Sequence, residues 1–79
     1  MVDVTTLSTL RPGEAGQIHE LAGGRGLVSR LAALGLTPGA RIKMVQNFGH
    51  GPLIVLVRET RLALGRGEAM KVLVQTGSE

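Results

Sequence analysis

The sequence predicts a mainly β fold: a small barrel of five to six short strands with one inserted short α-helix. Three observations carry this. First, Leu27, Leu31 and Leu34 recur at i, i+4 and i+7, the apolar face of a helix. That pattern stops at Gly35, and Ala40, Ile42 and Met44 then alternate with Arg41 and Lys43 at the period of a half-buried strand. Second, Leu53-Ile54-Val55-Leu56-Val57 is a continuous apolar run, β-rich and too short for a globular helix. Third, Pro12-Gly13 and Pro38-Gly39 each set a tight turn just ahead of a strand-like segment.

The elements follow in order. Leu7-Ser8-Thr9-Leu10 leads into the turn Arg11-Pro12-Gly13-Glu14, and residues 17–21 read as a weakly alternating strand. Ala22-Gly23-Gly24-Arg25-Gly26 is a glycine-rich connection to a helix over 27–34, whose Leu27, Leu31 and Leu34 face the barrel. Gly35 stands where a left-handed helix end favours a residue without a Cβ. After Pro38-Gly39, residues 40–46 form a strand and 47–52 a hairpin loop rich in Asn, Gly and Pro. Residues 53–57 are the central strand, 58–60 a tight turn, and 61–64 a short strand. Residues 65–70 fit a single turn of 3₁₀ or α helix, 71–74 close the sheet, and 75–79 are expected to fray. A bent barrel buries this pattern and removes free strand edges.

A chain of 79 residues is one domain, and its apolar fraction of 43% suffices for a core. That core must be aliphatic, since Phe48 is the only aromatic residue. The absence of cysteine excludes disulfides, thiolate metal sites and a thiol nucleophile. No apolar run approaches the ~18 residues of a membrane span, and the N-terminus lacks a signal-peptide pattern. A cytoplasmic chain without direct membrane insertion is therefore expected. The sequence pI of 10.7 overstates the basic character. Nine basic residues oppose six acidic ones, and along the chain the bases are scattered without a block.

With these elements in place, the chain resembles the FeoA family of small bacterial ferrous-iron uptake proteins. The matching features are Leu7 and Leu10 before Pro12-Gly13-Glu14, Ile18, Gly23-Gly24, and Arg30-Leu31 with Leu34-Gly35-Leu36 ahead of Pro38-Gly39. Gly51-Pro52, Leu62-Ala63-Leu64 and Glu68-Ala69 before Val72 complete the match, which covers about residues 5–74. The resemblance implies an SH3-like barrel and a cytoplasmic, non-enzymatic accessory of FeoB, a membrane ferrous iron permease with a GTP-binding domain. The same domain type occurs at the C-terminus of iron-dependent repressors. A regulatory domain of that kind is the alternative, and its mark would be a helix-turn-helix segment, which this sequence does not contain.

The chemistry open to the chain is limited. His19 and His50 are the weak metal candidates. Neither has a second ligand at helical spacing, and His19 and Glu20, adjacent on a strand, should point to opposite faces. No cofactor is expected beyond a weakly held divalent metal, which would make the chain a small iron chaperone. Gly23-Gly24-Arg25-Gly26 lacks the Lys of a phosphate-binding loop and reads as a turn into the helix. Ser29 lies in no nucleophile motif, and the carboxylates form no close pair, so no catalytic residue is expected. With one Phe, neither a Pro-rich peptide groove nor stacking on single-stranded nucleic acid is favoured. A protein–protein surface remains. Arg25, Arg30 and Ala33 lie off the apolar stripe of the helix, either as a solvated face or as a docking surface for the cytosolic part of FeoB. Self-association through strand edges is a further expectation.

Overall fold

In the computed structural model, which describes residues 3–77, six antiparallel strands form one sheet bent around a single core. The strands are β1 (Asp3–Thr6), β2 (Ala15–Leu21), β3 (Arg41–Gln46), β4 (Leu53–Val57), β5 (Thr60–Leu64) and β6 (Val72–Thr76). Their spatial order is β1-β6-β2-β3-β4-β5. A 3₁₀ turn (Leu7–Thr9) follows β1, the helix α1 (Arg25–Ala33) joins β2 to β3, and the one-turn helix α2 (Arg66–Ala69) joins β5 to β6.

Period-two alternation decides what is inside. Ile42 and Met44 are buried between exposed Arg41 and Lys43 on β3. Leu53, Val55 and Val57 of β4 point inward, while Ile54 and Leu56 are only half-buried on its outer face. Val72 and Val74 of β6, Ile18 of β2 and Leu64 of β5 join them, and Leu7, Leu10, Leu31, Leu36 and Ala69 fill the rest. The core is wholly aliphatic, as the composition requires. Both Pro-Gly turns form. Glu14 N–H donates to the Arg11 carbonyl and Ala40 N–H to that of Thr37, each at 2.9–3.0 Å.

The end of α1 departs from the expected helix. Leu34 is 46% exposed rather than buried, and Leu36 takes its place in the core at 0%. The helix stops at Ala33, Leu34 is its C-cap, and Gly35 at φ +98° reverses the chain. Gly35 N–H then donates to the Ala32 carbonyl and Leu36 N–H to that of Leu31, both at 3.0 Å. In this Schellman arrangement the apolar pair lies across the reversal, Leu31 with Leu36, and the cap residue is turned outward.

Other expectations are corrected in detail. Arg25 and Gly26 belong to the helix rather than to the glycine connection. The first strand precedes Leu7, which opens the 3₁₀ turn. Gln75 and Thr76 do not fray: they pair with β1 and β2, as Asp3↔Thr76 and Gln17↔Gln75. Free edges are shortened rather than removed, since β1 and β5 each pair on one side only among the described residues. Finally, β2 has a bulge between Ile18 and Glu20, opposite the adjacent residues Val74 and Leu73. The extra residue is His19, so alternation fails there and His19 and Glu20 are both exposed.

Where β2 passes β6, only glycine fits at residue 16. A Cβ there would lie 2.7 Å from the Gln75 carbonyl oxygen, a backbone atom that cannot rotate aside. Gly16→Ala is expected to cost about 1–3 kcal/mol, as overpacking does. Thermal denaturation checks this, and an unchanged melting temperature would mean that the β2–β6 approach is looser than described.

Candidate partner-binding surface

The helix α1 turns Leu31 and half-buried Leu27 to the core. Its outer side carries Arg25, Ser29, Arg30 and Ala33, all exposed, and leads to the half-exposed Leu34 at the cap. The arrangement follows from helical spacing, since residues three and four apart share a face. Nine residues are too few for a stable isolated helix, so tertiary contacts must hold α1 in place.

One such contact uses a predicted surface residue. The Arg30 guanidinium pairs with Glu68 Oε2 of α2. The other carboxylate oxygen, Oε1, accepts the Gly65 N–H at 3.0 Å and so caps α2. Glu68 thus joins the start of α2 to the last turn of α1. With the Arg30 side chain 61% exposed, the pair is worth about 0.2–1 kcal/mol. Its geometric effect is to direct Arg30 along the surface toward α2 instead of outward. Arg25 makes no ion pair among the described residues and is the freer cation of the two.

The remaining predicted site residues are not brought together. His19 Nδ1 lies 2.9 Å from Gln75 Nε2, and its Nε2 is 3.9 Å from Glu20 Oε1. His50 is exposed in the β3–β4 loop. Among the described residues no three His, Cys, Asp or Glu side chains cluster as metal ligands. Gly24 is the N-cap of α1, and Ala22 N–H donates to the Lys71 carbonyl at 2.7 Å, fixing the glycine connection against the start of β6.

Two features escaped the sequence reading. Leu34 belongs to the exposed face, not the core. The signal was the pair Leu31 and Leu36 flanking Gly35, which marks Leu34 as the cap residue. Phe48 and Met70 are also apolar and exposed, at 70% and 57%. Neither had a distinguishing sequence signal: Phe48 lies in the β3–β4 loop and Met70 is the C-cap of the one-turn helix α2.

Comparison with known proteins identifies the family and the fold. The FeoA domain matches over residues 5–76. A relative described as Fe(2+) transport protein A, from Methanocaldococcus jannaschii, is 32% identical over 69 residues, covering 87% of this chain and 83% of its own length. The crystal structure of an iron uptake regulatory protein, FeoA, is 36% identical with a TM-score of 0.90, covering 95% of this chain and all of the other. The zinc complex of Stenotrophomonas maltophilia FeoA, described as an SH3 domain protein, is 31% identical with a TM-score of 0.80, covering 90% and 94% of the two chains. A manganese-dependent transcriptional repressor shares the fold at a TM-score of 0.87 but is 16% identical, and the match spans 44% of it.

Proposed function

The chain belongs to the FeoA domain family, and from that premise we propose that it is a non-enzymatic accessory of ferrous iron transport that docks on the cytosolic part of the permease FeoB. The observation that carries this reading is family membership over nearly the whole chain, supported by one relative's description as an Fe(2+) transport protein. The docking surface is the outer side of α1: Arg25, Ser29, Ala33 and the half-exposed Leu34. Arg30 and Glu68 hold that face in position. An exposed leucine at the cap and a free guanidinium in the first turn of α1 can each anchor an interface, because the leucine gains from desolvation and the arginine forks onto a carboxylate. Modulation of the permease then requires different affinities for two of its states, such as its nucleotide-bound and nucleotide-free forms.

The test combines Arg25→Glu with Leu34→Glu. Both positions are exposed, so the fold should be retained. Ferrous iron uptake through the permease is expected to fall several-fold in cells carrying the double variant at wild-type abundance. Wild-type uptake would show that this face is not the docking surface.

A further inference from the structure

Four of the nine basic residues, scattered along the sequence, are gathered by the fold at one outer sheet face and its adjoining turn. Strand register places Lys43 of β3 opposite Leu56 of β4, and Leu56 opposite Arg61 of β5. Directly opposed residues share a face, so Lys43, Leu56 and Arg61 form one cross-strand row. Ala15 extends it on β2, opposite Lys43, and Arg41 stands opposite Gln17 in the next row. Arg58 follows β4 in the turn. Arg41, Lys43, Arg58 and Arg61 are all exposed, and none has a carboxylate within 4.0 Å among the described residues.

Between these cations lies a cleft of about 240 Å³, lined by Ala15, Arg41, Ile42, Lys43, Leu56 and Arg58, with Glu59 at its lip. A second cleft of about 220 Å³ continues from it through Ala15 and Arg41, past Gln17 and Gln75. The volume suits one or two side chains of a peptide rather than a cofactor, since small-molecule sites begin at roughly 300 Å³.

The turn beside the cleft is held in a costly conformation. Arg58 and Glu59 have φ of +51° and +65°, between the paired residues Val57 and Thr60. A two-residue hairpin turn of this kind favours Asn-Gly, and left-handed backbone is unfavourable for Arg and Glu. Folding alone does not require charged side chains here.

We propose that the Arg41–Lys43–Arg58 face is a binding site for an acidic, extended peptide segment of a partner protein, with one apolar side chain seated over Leu56. Guanidinium forks match carboxylates in pairs, and the recessed apolar floor takes a side chain between them. A bilayer would call for apolar groups that protrude, whereas Leu56 lies recessed and half-buried. A phosphate backbone would make no use of an apolar floor. The cleft shares no lining residue with the α1 surface, and its test does not involve the permease.

The probe is a ten-residue synthetic peptide alternating Glu and Leu, titrated into the ¹⁵N-labelled protein. Amide shifts are expected at Ala15, Arg41, Lys43, Leu56 and Arg58, with affinity falling as salt is raised. A peptide of Glu and Ser should bind at least ten-fold more weakly. Arg41→Glu with Lys43→Glu should abolish the shifts. Arg58→Asn with Glu59→Gly should weaken binding several-fold while raising the melting temperature by about 4–8 °C, the shift that ~1 kcal/mol gives a domain of this size. Shifts elsewhere, equal binding of the two peptides, or full binding by the Arg41 and Lys43 variant would overturn the proposal. So would tighter binding to phosphatidylglycerol vesicles or to duplex DNA than to the Glu-Leu peptide.

Discussion

Replacing Leu31 with alanine is expected to destabilise the protein by about 2–5 kcal/mol, the range for truncating a buried leucine. Leu31 is completely buried and belongs to the single core cluster. Its carbonyl accepts both the Leu34 and Leu36 N–H groups, which survive the substitution, so the loss falls on packing. The cavity opens beneath a helix of nine residues that has little stability of its own, and across from Leu36. For a domain of 79 residues this lowers the melting temperature by more than about 10 °C. Leu34→Ala provides the contrast, within about 0.5 kcal/mol of wild type, because that side chain lies at the surface. If the two variants melted alike, the assignment of Leu31 to the core and Leu34 to the exposed face would be wrong.

The second large effect is expected at Asn47, which ties the β3–β4 loop to two other elements. Its Nδ2 donates to the Ser8 carbonyl at 3.1 Å and the Leu10 carbonyl at 2.7 Å. Its Oδ1 accepts from Gly49 N–H at 3.0 Å and Arg66 Nη2 at 2.8 Å. One amide therefore joins the loop to the 3₁₀ turn and to α2. Asn47→Ala leaves two carbonyls, the Gly49 N–H and a guanidinium N–H without these partners. Arg66 Nε is already buried and unpaired among the described residues, so that side chain has no alternative bond in place. The expected cost is about 2–4 kcal/mol, from the penalty for stranding partly buried polar groups. Amide exchange should quicken in the loop and in residues 7–10. A loss below about 1 kcal/mol would mean that water replaces the amide at little cost.

Much of the fold was legible because it rests on local rules. Alternation placed Ile42 and Met44 inside, the apolar run 53–57 formed a strand, and both Pro-Gly turns formed where proline and glycine dictate them. What was not legible depended on relations between distant residues. A strict helical period assigns Leu34 to the core, and only the reversal at Gly35 exchanges it for Leu36. A strict strand period separates His19 from Glu20, and only the bulge against β6 brings them to one side. The ends of β6 looked free because their partners, in β1 and β2, are far away in sequence. The surface was the least legible. Arg30 resembled a free anchor until Glu68 was seen to hold it. Arg41, Lys43, Arg58 and Arg61 looked scattered until the β3–β4–β5 register set them side by side. Charge patterning along a chain cannot show a patch that cross-strand pairing creates.

Docking of this FeoA-family protein on the permease through α1 is the proposal that a binding experiment can decide. The most direct measurement is a titration of the ¹⁵N-labelled protein with the cytosolic domain of FeoB, with and without a GTP analogue. Shifts are expected only at Arg25, Ser29, Ala33, Leu34 and their neighbours, with an affinity that depends on the nucleotide. The absence of shifts at saturating partner concentration, or shifts that leave α1 untouched, would contradict it.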